Sequence, residues 1–574
     1  MKKLNFLTSF FIAALILSSC GGLDKMAEEY GTLEFSSTPE VLEMHDGEVE
    51  YQIDGTIPPE WFHKKATVEF TPVLKYDDGE ETLESKTFQG EDVEGNNKVI
   101  TNEDGDEIEF SGKFEYNEDM RVSDLVIRGV ATIDDESVEI PEIKFGKGVK
   151  ATPELVQIDP KPLMMADKFE RVKEKKEKAD IHYLIERSNV RDSELSEDDI
   201  KQLEKFVQNV EDAENKEYKE LKISAYASPD GPKDLNKRLS EGREESANKY
   251  FDDVVSKKKL SKEDAKKLYE AKRTTEDWEG FKKLVEESDI EDKDLILRVL
   301  SMHSDPEVRE KELKNMAETW EELADDILPK LRRSELYVKV EETGFSDDEI
   351  KDFVDSDPDT LNLEEALYAG YKLFKGDLNK QLQAFELALE KEENCLRAHN
   401  NIGYIKIKQG KIDEATEAIE KANSIKEGVP QVLNNLGVIA LHNDNIEEAK
   451  EYFLDATDAG DKVKYNLGII NIVEGEYESA VNYMESFESF NTALAMLLSG
   501  ESSKANNMLS TLDETDAMVN YLEAVIAARD GDDNEVYENL RTAVEEDEEL
   551  KETAKTDMEF VEYFENETFQ SIVE

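Results

Sequence analysis

Apolar positions recur with two different periods along the chain, and the change from one to the other divides it. From Gly31 to Val149 the runs Thr32 to Phe35, Val49 to Ile53, Ala66 to Tyr76, Ile108 to Phe114, Leu125 to Ile133 and Ser137 to Phe145 alternate with period two. That alternation puts apolar side chains on one face of a strand. Asp46-Gly47, Asp77-Asp78-Gly79 and Asp104-Gly105 separate the runs at hairpin-like spacing. The pattern predicts an all-β sandwich over residues 31–150.

Short runs with frequent turn signals are the character of an immunoglobulin-like (Ig-like) sandwich. No catalytic or metal-binding constellation falls in it, so spacer and partner-binding module both stay open. Pro153, Pro160 and Pro162 then mark a boundary. Beyond them Ile181 to Ile185 and Leu221 to Tyr226 read as buried strands, joined by a helix from about Glu197 to Val210 whose start Ser196 to Asp199 signals. The second strand runs into Ala225-Tyr226-Ala227-Ser228-Pro229-Asp230-Gly231, then Asn236, then Leu239-Ser240-Glu241-Gly242-Arg243 at the head of a helix. Further on stands Leu331-Arg332-Arg333-Ser334-Glu335-Leu336-Tyr337-Val338, which reads as a last strand.

This succession resembles the peptidoglycan-associating C-terminal domain of the outer-membrane protein A family. The resemblance implies an α+β OmpA-like domain over residues 165–345 with a helical insertion at about 252–326. It also implies a ligand: the diaminopimelate of the cell-wall peptide, its amine met by an aspartate of the turn and its carboxylate by the arginine of the helix. One acid and one planar base suit a zwitterionic head. Arg243 falls on the arginine position, Ser228 stands where the family has its aspartate, and Asp230 follows two residues on. Plainer roles stay open, a structural ion pair for Arg243 and a β-turn for Ser228 to Gly231. The insertion carries Trp278, Phe281, Leu284, Trp320 and Leu323 at helical spacing, which predicts capping helices.

From about Leu361 the period is longer. Asn401-Ile402-Gly403 recurs as Asn435-Leu436-Gly437 after 34 residues (437 − 403) and as Asn466-Leu467-Gly468 after 31 (468 − 437). Ala415, Ile419 and Ala422 are matched by Ala449, Phe453 and Ala456. These half-motifs resemble the tetratricopeptide (TPR) repeat, in which small residues let paired helices approach and large apolar ones fill between them. The resemblance implies an all-α TPR solenoid over residues 361–574 with packing roles for the motif residues, and a binding face on its inner side that the sequence leaves unspecified.

Composition narrows the chemistry. With 137 acidic against 71 basic residues the formal charge is −66, so nucleic acid is not an expected partner. No nucleophile with its base, metal-spaced cluster or phosphate loop emerges, so neither an enzyme nor a cofactor is expected. Lys2 and Lys3 precede an apolar stretch closed by Leu17-Ser18-Ser19-Cys20, a signal peptide over residues 1–19 that is too short to span a bilayer. Those last four residues resemble a bacterial lipobox, which implies acylation of Cys20, a tether over residues 20–30 and, with Gly21 following, the outer membrane; the periplasmic face is expected ahead of the cell surface, and both stay open. Cys395 has no cysteine to pair with once Cys20 is lipidated and is expected buried in a repeat. Three functions remain: an envelope scaffold docking proteins through its repeats and tethered to peptidoglycan, a surface adhesion or glycan-capture lipoprotein, and an assembly factor for exported chains.

Overall fold

The computed structural model describes residues 20–77, 79–255, 259–512 and 516–574. The apolar leader lies outside the described residues. Two compact units form, one from the residues up to Ala166 together with Gly376–Glu574, the other from Asp167–Lys375.

The first unit begins with α1 (Cys20–Glu28), β1 (Glu34–Thr38), β2 (Leu42–His45), β3 (Glu48–Ile57), β4 (Thr67–Tyr76), β5 (Gly79–Thr82), β6 (Lys86–Gly90), β7 (Lys98–Ile100), β8 (Asp106–Glu115), β9 (Ser123–Ile133), β10 (Glu136–Lys147) and β11 (Val149–Lys150). One sheet has β3 between β8 and the pair β1 and β2, with β11 on β2; the other runs β10-β9-β4-β6-β7 with β5 also on β4. Period two becomes burial, since Val49, Tyr51, Ile53 and Ile57 of β3 all point inward. Trp61, Phe62, Phe70 and Phe110 fill the interior. Asp46 and Gly47 both take left-handed φ, 53° and 70°, as a two-residue hairpin turn between β2 and β3 requires. Residues 20–28 are not a free tether. Leu23 and Met26 lie three apart on one side of α1 and are buried against the β9–β10 hairpin, which removes their apolar surface from water.

The second unit runs β12 (Val172–His182), α2 (Asp198–Asp212), β13 (Lys216–Tyr226), α3 (Lys233–Val255), α4 (Lys262–Leu268), β14 (Tyr269–Thr274), α5 (Trp278–Glu287), α6 (Lys293–Met302), α7 (Pro306–Lys314), α8 (Ala317–Glu322), α9 (Leu328–Leu331), β15 (Arg333–Thr343), α10 (Asp347–Ser356) and α11 (Leu363–Tyr368). Its sheet order is β12-β15-β13-β14, with β13 and β14 parallel and the other pairs antiparallel. Ile181, Leu221, Ile223, Leu336 and Val338 meet Ile200, Leu203 and Phe251 in its core.

Several expected boundaries move. The first strand ends at His182 rather than Ile185, and Leu184 and Ile185 are left exposed. α2 starts behind Glu197, with no side-chain cap; the Asp199 carboxylate instead accepts the Asp180 N–H at 2.8 Å. Part of the expected insertion is the strand β14, so the inserted helices are α5 to α9, which bury a small core of their own around Phe281, Ile296 and Leu323. α10 and α11 belong to this unit, so the helical array starts later than Leu361.

That array comprises α12 (Leu378–Lys391), α13 (Leu396–Lys408), α14 (Ile412–Ile425), α15 (Pro430–His442), α16 (Ile446–Asp455), α17 (Asp461–Val473), α18 (Tyr477–Met484), α19 (Phe490–Leu498), α20 (Ser502–Leu509), α21 (Ala517–Asp530), α22 (Asp533–Glu546), α23 (Leu550–Thr556) and α24 (Glu567–Val573). The recurring glycines mark where paired helices touch. A Cβ on Gly403 would stand 2.3 Å from Ile419, and one on Gly437 would stand 2.6 Å from Phe453. Cys395 is buried at the head of α13.

A buried ion cluster fixes the sandwich to the end of the array. Glu559, its side chain fully buried, accepts from Arg529 Nε at 3.0 and 3.1 Å and from the Thr152 hydroxyl, with Lys150 of β11 at 3.5 Å. Burial pushes the Glu559 carboxyl up, but Arg529, then Lys150 and Thr152, outweigh it and hold the group below the ordinary value of 4.5. His45 Nδ1 meets the Tyr477 hydroxyl at 3.1 Å in the same seam.

Two outcomes follow for stability. Gly437→Ala overpacks the α15–α16 contact and costs about 1–3 kcal/mol in urea unfolding, and most of that returns in Gly437→Ala/Phe453→Leu. Glu559→Leu leaves a buried guanidinium unpaired and costs about 3–5 kcal/mol. Because the folded pKa of Glu559 lies below the unfolded one, its contribution is whole above about pH 4.5 and is lost as pH falls through the folded value. The wild-type and Glu559→Leu stability curves therefore converge in acid.

Candidate functional site: a backbone-reading groove in the repeats

A chain segment in contact with a folded surface must place its N–H and C=O groups somewhere. Residues 156–165 follow a short turn at Thr152–Leu155 and form neither helix nor strand. Their polar groups go to asparagine side chains on the first helices of successive repeats, α13, α15, α17 and α19. That is the inner side of such a solenoid.

Each contact has the same two-point form. Asn401 Oδ1 accepts the Met165 N–H at 2.7 Å while its Nδ2 donates to the Met165 carbonyl at 2.9 Å. Asn435 does this to Leu163 at 2.7 and 2.8 Å, Asn466 to Lys161 at 2.6 and 3.1 Å, and Asn491 to Gln157 at 2.9 and 2.7 Å. A carboxamide carries one acceptor and one donor side by side, which is the complement of a peptide unit. Asn400 and Asn434 add second donors to the Leu163 and Lys161 carbonyls at 3.0 and 3.1 Å. The asparagines also bond one another between repeats, Asn435 to Asn400 at 3.0 Å and Asn466 to Asn434 at 2.9 Å. All six are essentially inaccessible, 0–1% exposed, so every amide is held by a partner and none is free to turn away.

The steps along the bound segment explain its prolines. Clamps on 161, 163 and 165 read every second residue, the repeat of an extended chain. Pro160 and Pro162, both buried, occupy intervening positions where no N–H is asked for, and proline has none to give. Proline also biases the residue before it toward extended backbone, here Asp159 and Lys161. Between 161 and 157 the frame breaks, because the Asp159 N–H donates to the Gln157 carbonyl at 2.9 Å in a tight turn about Ile158. There the Asp159 carboxylate takes over, accepting from the Tyr465 hydroxyl at 2.7 Å and from Asn491 at 3.1 Å. Burial and that carboxylate hold the Tyr465 hydroxyl well above the ordinary tyrosine range, so it donates at neutral pH. Leu163 and Met165 pack against the apolar core of the repeats.

The asparagine of the recurring Asn-x-Gly is thus not a packing residue as the sequence suggested. Its glycine packs, and its amide grips. A signal was there to read: an uncharged polar residue repeated inside apolar helices is expensive to bury unless its hydrogen bonds are met.

In the second unit, the residues of the cell-wall resemblance lie around the turn between β13 and α3. The Arg332 guanidinium reaches Ser228 Oγ at 3.3 Å and Asp230 Oδ2 at 3.2 Å, while Asp230 Oδ1 is buried without a hydrogen-bond partner. Arg243, 1% exposed, donates to the carbonyls of Tyr226 at 2.7 Å and Arg187 at 3.1 Å and lies over the Tyr183 ring. Burial lowers its pKa to about 10. Asp230 and Ser228 therefore come together on Arg332, which the sequence reading did not assign, and Arg243 sits beneath them on backbone oxygens. Glu310 of α7 accepts the Gly231 N–H at 2.8 Å, so an inserted helix covers this turn. Cys20 opens α1. Among the described residues no group of His, Cys, Asp or Glu could hold a metal ion, and no helix is long and apolar enough to cross a membrane.

Asn435→Ala removes one acceptor and one donor from a buried site and leaves the Leu163 N–H unpaired. A loss of about 1–3 kcal/mol is expected in urea unfolding, and Asn435→Asp, which restores the acceptor but sets a buried carboxylate oxygen against the Leu163 carbonyl, does not recover it.

A tetratricopeptide repeat family model matches residues 396–428 and 430–459. No curated protein matches the chain. Among solved structures, the Cut9-Hcn1 hetero-tetramer of the APC/C aligns at 16% identity and a TM-score of 0.31 over 35% of this chain and 44% of that one, so this chain covers under half of that relative. Pseudomonas aeruginosa pilF aligns at 20% identity and 0.28, over 38% of this chain and 97% of that one. A tetratricopeptide repeat protein of Parabacteroides merdae aligns at 16% and 0.28, over 37% and 91%. Residues 396–459 of this protein accordingly carry tetratricopeptide repeats, a class of fold suited to protein–protein interaction.

Proposed function

We propose that the protein is a non-enzymatic, lipid-anchored scaffold of the bacterial outer membrane that docks protein partners of an envelope complex through its repeats. The observation that carries this reading is the groove of paired asparagines, a surface specialised for holding an extended polypeptide rather than for chemistry. The lipobox-like Leu17 to Cys20 supports the anchor. An OmpA-like second unit, tethering the scaffold to peptidoglycan, rests on the Ser228, Asp230 and Arg243 turn and on a β-α-β-α-β order of elements, and the immunoglobulin-like sandwich serves as a spacer fixed to the array. A groove that accepts an extended chain also favours the second reading, an assembly factor for exported proteins.

Two experiments separate the parts. In intact cells, cross-linking followed by purification of the full-length protein from solubilised envelopes recovers a defined partner from the wild type and not from Asn401→Ala/Asn435→Ala. Undiminished recovery from the double variant contradicts docking through the groove. Lipid-free protein is then sedimented with purified peptidoglycan. Saturable binding that Asp230→Ala weakens at least tenfold in protein that circular dichroism shows still folded supports the wall tether, and absence of wild-type binding removes it from the proposal.

A further inference from the structure

The groove that the proposed function assigns to partners is filled by the protein's own residues 157–165. Nearly all the polar contacts that hold this segment go to its backbone: four asparagines each take one N–H and one C=O, and two more add donors to the same carbonyls. Groups that read backbone are indifferent to which residue supplies it. The side-chain requirements are few, namely no proline at the four clamped positions, proline accommodated at 160 and 162, and a carboxylate at 159 for Tyr465 and Asn491. Ile158 and Ala166 are exposed, while Leu163 and Met165 pack on the repeat core and Pro160 and Pro162 are buried, so the apolar contacts ask for bulk at 163 and 165 rather than for one particular sequence.

We propose that residues 157–165 are an intramolecular ligand, and that the groove takes in their place an extended partner peptide of the same frame. Such a peptide has free N–H groups at alternate positions, proline between them and an acidic side chain two residues before the first alternating clamp. The inference rests on the reading of the repeats as a docking surface and names what docks. Covalent attachment gives the resident segment an effective concentration on the order of millimolar, so an outside peptide is excluded until the segment is released. The array is thus held closed in the free protein and opens to a partner that competes for the same asparagines.

A fluorescent peptide with the sequence of residues 154–167 is titrated by anisotropy against the full chain. Wild type binds it at least tenfold more weakly than Leu163→Pro, in which the resident segment has lost the N–H that Asn435 needs. Leu163→Ala keeps that N–H and loses comparable packing, and it excludes the peptide as wild type does. Adding Asn435→Ala and Asn466→Ala to Leu163→Pro abolishes the gain. Hydrogen exchange at Lys161 and Met165 reports whether the segment has left the groove, and the melting temperature reports that each variant is folded. If Leu163→Pro releases the segment and the peptide still fails to bind, the exchange proposal is overturned. If Leu163→Pro leaves the segment seated, the frame rule is overturned. Peptide binding that follows the expected pattern, alongside partner recovery that ignores Asn401→Ala/Asn435→Ala, retains this inference and removes the docking function instead.

Discussion

The requirement that buried backbone amides find partners organises the repeat unit. Residues 156–165 lie on the inner face of a helical array without sheet or helix bonds of their own, and their N–H and C=O groups are met by a row of carboxamides. Those carboxamides are in turn linked from repeat to repeat. Each side of the contact is thus the solution to the other's desolvation, and the network has the all-or-none quality of satisfied buried polar groups. The chain leaving the sandwich has only one place to go, and the Glu559 cluster at the start of the segment sets where it enters the groove.

Several features of this arrangement were legible in the sequence. The spacing of Gly403, Gly437 and Gly468 is a packing constraint, and the structure places each against a large side chain of the paired helix. The two-residue turn at Asp46-Gly47 and the five long strands of the sandwich, β3, β4, β8, β9 and β10, follow from alternation. The asparagines were visible but carried the wrong meaning, because the repeat motif already explained their neighbours. The bound segment was invisible for a related reason: a stretch with three prolines and no period reads as a boundary, and nothing local shows that its alternate residues are addressed by helices some 240 to 330 positions later.

The second unit shows a different limit. Its sheet edges are β12, in which five of eleven residues are lysine, arginine or histidine, and β14, Tyr269 to Thr274. Charged edge strands resist pairing with other chains, and the same charges erase the apolar alternation by which a strand is recognised. The central strands β13 and β15, buried on the helix side, were found. Around the turn after β13, Arg332 was not legible because the helix arginine alone completes the acid-and-base pattern that a zwitterionic head asks for. In the structure Arg332 holds both Ser228 and Asp230, while Arg243 supports the turn from below.

Alternate backbone amides of residues 157–165 are held by asparagine side chains. Residue-resolved hydrogen exchange on the full-length protein tests it directly. Slow exchange is expected at Gln157, Lys161, Leu163 and Met165, fast exchange at Ile158 and Met164, and loss of the slow set when Asn435 and Asn466 become alanine. Uniform fast exchange along the segment, or an alternation that survives those substitutions, would contradict it.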